Sequence, residues 1–385
     1  MKGKVEAIGK GGYGIVFSEG KTVFVPYIIE GEEIEFEIEK RKSSVYFGKA
    51  VEIIKGSEKR VDPFCKYYGI CGGCNFQHIS YNYQLEFKKK ILINNLKRVA
   101  KVEIPFEVET IPSPFADKYR TKVTFKIING KIGFFKRNSN ELIEIEECII
   151  ANEKINDFLT YVKKRGLVEP VRKGEIIVLS NGEKISAVLK NEKKELYLAD
   201  EKGLFFELLG LKYFFTPLSF IQSNLYNLKT MLSLLKGEME GKGETAADLF
   251  SGTGFFTMLL SKYFKKVYSY EMEKENIKLQ KKNKRINSIE NIKIISGDIL
   301  RKNMIFPSEL FVIDPPRGGI TKKVIERIVQ AFPEKIIYFS CDSATFSRDT
   351  FYFKERGYSL KKLKILDNFP HSDHFEIFSV FEKAD

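Results

Sequence analysis

The chain of 385 residues has five cysteines, and three of them crowd into FCKYYGICGGCNFQH, residues 64–78. Pairing two of Cys65, Cys71 and Cys74 would leave one thiol over, so a disulfide accounts poorly for the cluster. Gaps of five and then two residues suit convergence on a metal instead. A fourth ligand then has to come from elsewhere, and only Cys148 and Cys341 remain.

A second set of chemically able residues lies in the C-terminal half. In ETAADLFSGTGFFTMLLSKYFKKVYSYEME, an apolar strand carries Asp248 near its end, Gly252 and Gly254 make a turn, and a helix follows. The next strand ends at Glu271, 23 residues beyond Asp248. Glycines let backbone approach a ligand closely, and an acid at the second strand end can take both ribose hydroxyls. The dinucleotide fingerprint asks for a third glycine where Thr257 stands. A ligand without a pyrophosphate does not need it, and S-adenosylmethionine is such a ligand. IKIISGDI and LFVIDPPRGG place Asp298 and Asp314 at two more strand ends, along the edge where sheets of this kind bind ligands.

Cys341 follows another apolar strand in KIIYFSCDSATFSRD, and Glu376 opens the last one in FPHSDHFEIFSV. Alone, such a cysteine reads as a small buried hydrophobe. Together with a carboxylate beside a methyl donor, it fits one reaction. Carbon 5 of uracil is a poor nucleophile; a thiolate that adds to carbon 6 turns the ring into an enolate, which can take a methyl group. A base must then remove the carbon-5 proton so that the thiolate can leave.

The elements that must position these residues fall into three blocks. Residues 1–55 read as strands: EIEFEIEK alternates, with Ile34, Phe36 and Ile38 on one face, and KTVFVPYII and SVYFGKAVEII supply others. A small oligonucleotide-binding barrel is one reading, and a barrel that only packs on its neighbour is the other. Residues 56–210 hold the cysteine loop, an amphipathic helix in YQLEFKKKILINNLKRV with its lysines outward, and strands in YRTKVTFKI, KIGFFKRN, EIIVLSNG and KISAVLK. From 211 to 385 strands alternate with helices, which implies a parallel sheet covered on both faces.

The formal net charge of +13 fits either a solvated lysine-rich surface or a polyanionic partner. No stretch approaches a signal peptide or a membrane span, so the cytoplasm is expected, where thiols stay available as ligands. A monomer is expected by default.

These blocks resemble the RNA uracil-5-methyltransferase family, specifically its iron–sulfur branch, typified by 23S ribosomal RNA enzymes. Residues 2–40, KGKVEAIGKGGYGIVFSEGKTVFVPYIIEGEEIEFEIEK, are similar to the family's N-terminal TRAM barrel. RVDPFCKYYGICGGCNFQHISYNYQLEFK and IEIEECII resemble its cluster motif, and FIQSN, DLFSGTG, DPPRGG, SCDSATFSRD and PHSDHFE its catalytic blocks. The resemblance implies an α/β fold: a Rossmann-like S-adenosylmethionine-dependent methyltransferase domain, preceded by an α+β iron–sulfur domain and an OB-like β-barrel. It implies a 4Fe–4S cluster on Cys65, Cys71, Cys74 and Cys148, with Cys341 as nucleophile and Glu376 as base. Gln222, Phe250, Gly252, Gly254, Glu271, Asp298 and Asp314 would line the cofactor or target-base site. Ser251 stands where members often have Cys and Phe255 where they often have Asn, so no polar contact carries over there. His371 and Ser343 replace a commoner Gln and Pro.

RNA is the expected partner, ribosomal before transfer RNA, with Arg120 and Arg137 as candidate contacts. For the four cysteines, zinc is the rival metal; the short spacing and long gap come closer to a ferredoxin pattern. An RNA cytosine-5-methyltransferase uses similar chemistry but places a cysteine after Asp-Pro-Pro or in Pro-Cys-Ser, and here Arg317 follows DPP. Two rival functions come from outside this chemistry: a non-catalytic RNA-binding protein and an NAD enzyme. Intact Cys341 and Glu376 count against the first, and the missing fingerprint against the second.

Overall fold

The computed structural model describes every residue except 10, 44, 193, 200, 240, 242, 300–304 and 385. Strands β1 (Lys2–Ile8), β2 (Tyr13–Ser18), β3 (Lys21–Pro26), β4 (Glu33–Lys42) and β5 (Val45–Lys55) close into a barrel, ordered β1-β2-β3-β5-β4. The alternation of β4 explains it: Ile34 and Phe36 enter a core with Val5, Val16, Val23 and Val25, while the glutamates between them face outward or lie half-buried.

Helix α1 (Tyr81–Asn95) runs into a π-helical turn at Leu96–Ala100, and β6 (Glu109–Ile111) follows. The central sheet comes next, with β7 (Lys122–Ile128), β8 (Lys131–Phe135), β9 (Leu142–Glu144), β10 (Lys173–Ser180), β11 (Ile185–Lys190) and β12 (Glu195–Tyr197), ordered β12-β11-β10-β7-β8-β9. Helix α2 (Glu153–Lys164) covers one face, burying Ile155, Phe158, Leu159 and Val162 against Phe125, Ile127, Ile176 and Val178.

The remainder comprises the hairpin β13 (Leu204–Leu208) and β14 (Leu211–Phe215), then α3 (Leu225–Gly237), β15 (Gly243–Leu249), α4 (Phe255–Leu260), β16 (Phe264–Glu271), α5 (Lys274–Ile286), β17 (Ile292–Ser296), β18 (Leu310–Ile313), α6 (Lys322–Gln330), β19 (Lys335–Ser340), α7 (Ser343–Lys354), β20 (Tyr358–Leu366) and β21 (Glu376–Lys383). The large sheet is ordered β17-β16-β15-β18-β19-β21-β20-β6. Strands β15 to β19 are mutually parallel, and β21 lies antiparallel between β19 and β20. Its two faces make two cores, as the near-continuous apolar strands require. Ala247, Leu249, Phe311 and Tyr338 pack under α6 and α7, whereas Ala246, Leu310, Val312 and Phe339 pack under α3, α4 and the β13–β14 hairpin.

Two segments do not stay with the blocks in which the sequence groups them. Leu92, Leu96, Ala100 and Val108 join the first core of the large sheet, and β6 pairs with β20 as its edge strand. The division at residue 210 falls in the turn of the β13–β14 hairpin, both of whose strands pack on the second core. Apolar side chains in both segments find their cover on the large sheet, which chain order does not reveal. Helix α1 also departs from its expected outward lysines: Gln84 and Lys88 are fully buried. Among the described residues, no helix is long and apolar enough to cross a membrane.

Candidate active site

Because β15 to β19 are parallel, their carboxyl ends share one edge, and a cavity of about 710 Å³ opens there. Phe250, Gly252, Glu271, Asp298, Asp314 and Cys341 all line it, each from the end of a strand or the turn after it. Gln222 reaches the same cavity from the loop before α3.

The glycine turn shows why these residue types stand where they do. Phe250 adopts φ 62 and Gly252 φ 55, so two residues in the left-handed region reverse the chain between β15 and α4. A phenylalanine there is strained by about 1–2 kcal/mol. The Gly252 N–H donates to Glu271 Oε2 at 2.7 Å, and Glu271 Oε1 accepts from the backbone of Met272 and Glu273. Gly254, expected in the site, does not line the cavity. It takes φ 86 at the start of α4, where a Cβ would come within 2.8 Å of Gln280 and Met258. Its role is close packing.

Asp248 also stays out of the cavity. It is wholly buried, and Thr257 donates to its Oδ2 at 2.5 Å. Gln280 donates to Ser251, Thr257 and Ser269, which completes a polar knot beneath the turn. Thr257, at the position of the missing third glycine, thus ties α4 to β15. Ser251 finds its partners in the same knot, donating to the Tyr270 carbonyl at 3.2 Å.

Cys341 and Glu376 are separated by 35 positions and become neighbours through register. In the antiparallel pair β19–β21, Ser340 faces Ile377. The residue after the one and the residue before the other therefore stand side by side at the mouth of the cavity. Burial pushes the Cys341 thiol up to about 11, reinforced by Glu376 and Asp314, while Arg317 opposes the rise. Burial raises Asp314 to about 7. Glu376 is 1% exposed, neither of its oxygens has a hydrogen-bond partner among the described residues, and burial with Asp314 nearby holds it well above the ordinary carboxylate range. Burial thus disfavours the charged form of both the thiol and the carboxyl. Gln222 contacts Asn368 Nδ2 through Oε1 at 3.5 Å. This leaves its amide N–H groups available to a ligand carbonyl.

Cys65, Cys71, Cys74 and Cys148 are free of disulfides and line a second cavity of about 790 Å³. The β8–β9 hairpin brings Cys148 round, and the cysteine loop lies against β8, with Gly72 N–H donating to the Phe135 carbonyl at 3.1 Å. Burial pushes Cys74 up to about 12 and Cys148 up to about 11, and charge on neighbouring thiols adds to both. Burial raises Cys71 as well, so these three thiols resist ionising side by side. Among the described residues, no group of three or more His, Cys, Asp and Glu side chains is placed to hold a metal ion.

The two cavities adjoin: Arg120, Phe220, Ile221, Ser223 and His374 line both. Arg120 is thus half-buried between them rather than an ordinary surface residue. Arg137, the other candidate RNA contact, joins two blocks of the chain. Its guanidinium stacks on Tyr13 at 4.4 Å and Tyr27 at 5.2 Å and donates to the Gly11 carbonyl, fastening the barrel to the central sheet. Phe369 and Arg317 also line the catalytic cavity without having been singled out for it; each sits inside a motif, FPHSDHFE or DPPRGG, that marks the neighbourhood but not the side chain.

A family model described as tRNA (Uracil-5-)-methyltransferase matches residues 173–384. An RNA methyltransferase of Thermotoga maritima is 31% identical over 440 residues, covering 99% of this chain and 99% of its own. A 23S rRNA (uracil(1939)-C(5))-methyltransferase of Vibrio campbellii is 27% identical, covering 99% and 95%. Among solved structures, the Pyrococcus abyssi tRNA (uracil-54, C5)-methyltransferase in complex with S-adenosyl-L-homocysteine aligns with a TM-score of 0.79 at 22% identity, over 99% of this chain and 100% of that one. That likeness is one of fold.

Proposed function

We propose that this chain, which belongs to the family of RNA uracil-5-methyltransferases, methylates a uridine of 23S ribosomal RNA through a covalent bond from Cys341 to the base. The observation that carries this reading is the register of β19 and β21, which sets a thiol beside a carboxyl at the edge where neighbouring strand ends supply cofactor contacts. S-adenosylmethionine is the methyl donor. Glu271, Phe250, Gly252, Asp298 and Asp314 line the cavity and would hold it, with Glu271 placed to meet a ribose hydroxyl.

Catalysis begins when Cys341 gives up its proton to solvent through the open cavity, a loss that its raised pKa opposes in the free protein. The thiolate adds to carbon 6 of the uracil, and the electron pair moves to the ring as an enolate. Carbon 5 then takes the methyl group from the sulfonium, whose carbon–sulfur bond breaks to leave S-adenosylhomocysteine. Glu376, as a carboxylate, takes the carbon-5 proton and becomes the neutral acid; the double bond reforms and the thiolate departs. Gln222 orients the base through a carbonyl. Extrusion of the uridine from an RNA loop gives it access.

The four remaining cysteines fit a 4Fe–4S cluster held by Cys65, Cys71, Cys74 and Cys148. The short spacing of the first three and the long gap to Cys148 favour iron–sulfur over zinc. Such a cluster supplies a cross-link between the cysteine loop and the segment around Cys148 rather than electrons to the reaction.

Unmodified total RNA, incubated with the protein and methyl-labelled S-adenosylmethionine, should yield one labelled 5-methyluridine in 23S RNA by mass spectrometry. Label confined to transfer RNA would overturn the substrate, and label on cytidine the reaction.

A further inference from the structure

Nine residues, Asp367 to Phe375, join β20 to β21 and form a strap across the catalytic cavity, to which they contribute Phe369 and His374 just before Glu376. Little of the strap's restraint comes from its own sheet. Helix α1 supplies part: Lys88 Nζ donates to Asp367 Oδ1 at 2.6 Å, and His371 N–H donates to Gln84 Oε1 at 2.9 Å.

Asn227 Nδ2 donates to the Asp367 carbonyl and Tyr119 OH to the Pro370 carbonyl, and a further set of bonds comes from Asn75, the residue after Cys74. Asn75 N–H and Phe76 N–H both donate to the His371 carbonyl, at 3.0 and 2.9 Å. Asn75 Nδ2 donates to Asp373 Oδ1 at 2.8 Å, and Asp373 N–H returns a bond to Asn75 Oδ1 at 3.0 Å. The barrel enters the same joint. Gly11 N–H donates to Asp373 Oδ2 at 2.8 Å, and the Gly11 carbonyl accepts from Asn75 Nδ2 at 3.0 Å. Gly12 permits this approach, since a Cβ on it would stand 2.8 Å from the Asn75 amide nitrogen. Between them, His371 sits at φ 65, a conformation a non-glycine residue keeps only when its surroundings hold it there.

We propose that Asn75 and Asp373 are positioning residues for Glu376: their reciprocal pair, closed by Gly11, makes the cysteine loop and the barrel a clamp on the catalytic strap. The proposal rests on the assignment of Glu376 as the base. It gives the cysteine loop a part in catalysis that needs no electron transfer. Proton removal from carbon 5 is the step it governs, because Glu376 follows the strap directly, whereas Cys341, Glu271, Asp298 and Asp314 stand on other elements and Gln222 meets the strap at Asn368, before the stretch that the clamp holds.

The test compares Asn75→Ala, Asp373→Ala and Asn75→Asp with the exchange variant Asn75→Asp/Asp373→Asn, which restores a donor facing an acceptor. Amide exchange should quicken at residues 371–375 in the single variants and not in β15 or β18. S-adenosylhomocysteine affinity should stay at the wild-type value. Displacement of a catalytic group by about 1 Å costs on the order of a hundredfold in rate, so kcat should fall at least about tenfold with KM for RNA little changed. Methylated RNA–protein adduct should accumulate, and the exchange variant, which restores the side-chain pair but not the bond to the Gly11 carbonyl, should recover part of both kcat and slow amide exchange. Wild-type kcat in a single variant whose strap exchanges fast would overturn the proposal, as would an exchange variant no better than Asn75→Asp. Absence of any adduct or methylation with the wild-type protein would instead sink the assignment of Glu376 and leave the amide-exchange comparison to judge the clamp.

Discussion

At the residue scale, the proposed chemistry rests on a thiol and a carboxyl whose charged forms burial disfavours. Cys341→Ala removes the nucleophile, so neither methyl transfer nor an RNA adduct should appear. Glu376→Gln keeps the thiol but cannot accept the carbon-5 proton. It should add to the base, transfer the methyl and stall, so that a denaturation-resistant adduct carrying labelled methyl builds up on gels. Normal turnover by Glu376→Gln would move the base role to Asp314. Asp248 makes a separate prediction about stability. Burial pushes its carboxyl up to about 8, so the folded protein keeps a proton that the unfolded chain loses near its ordinary value of about 4. That stabilising contribution is whole in acid and is lost as the pH rises through this interval, by up to about 1.4 kcal/mol per pH unit. Asp248→Asn retains an acceptor for Thr257 and should flatten the dependence of melting temperature on pH. An unchanged slope would show that the carboxyl ionises freely in the folded state.

At the scale of elements, α1 turns an apparently amphipathic surface helix into a support of the active site. Lys88 and Asp367 are both wholly buried, 279 positions apart, and their ion pair fastens the strap at its first residue. Taking one charge from a buried pair leaves the other uncompensated, at a cost of about 3–5 kcal/mol. Lys88→Met should therefore lower the melting temperature sharply, while Lys88→Met/Asp367→Leu should recover much of the loss. A single variant as stable as the wild type would mean that water reaches Asp367. The same helix ends in the π-helical turn at Leu96–Ala100, which carries Leu96 and Ala100 into the core of the large sheet.

At the scale of the whole molecule, three blocks that the chain lays out in succession meet around two adjoining cavities. Arg120, Phe220, Ile221, Ser223 and His374 form the common wall, which sets the cysteine loop beside the cavity that Cys341 lines. Protein purified without oxygen should be brown and carry about four irons per chain. Cys148→Ser should lose the metal or fail to fold, and Cys341→Ser should keep it. Stoichiometric zinc and a colourless protein, never exposed to oxygen, would falsify the cluster. Binding to RNA should weaken steeply with salt, because a chain of net charge +13 that contacts phosphates displaces their counterions. An affinity indifferent to salt would assign recognition to stacking residues such as Phe220.

By itself, the sequence determined the local pieces: the alternation that folds the barrel, the strand–turn–helix units of the methyltransferase half, and which residue types could act. Asp314 and Cys341 could be placed at one edge from chain pattern alone, because the carboxyl ends of parallel strands always share an edge. Tertiary structure decided which pieces touch. The insertion of β21 antiparallel beside β19 brings Glu376 to Cys341, and no periodicity in either strand encodes that order. Gly254 and Asp248 have the residue types of a ligand site yet serve packing, since the chain turns at Phe250 and Gly252 before reaching Gly254 and buries Asp248 beneath. Lys88, Asn75, Asp373 and Arg137 reveal nothing in sequence: a charged or amide side chain at one position is indistinguishable from a solvated one until its partner, far away along the chain, closes over it. Burial and pairing are properties of the packed chain, and packing is set by which apolar faces find each other.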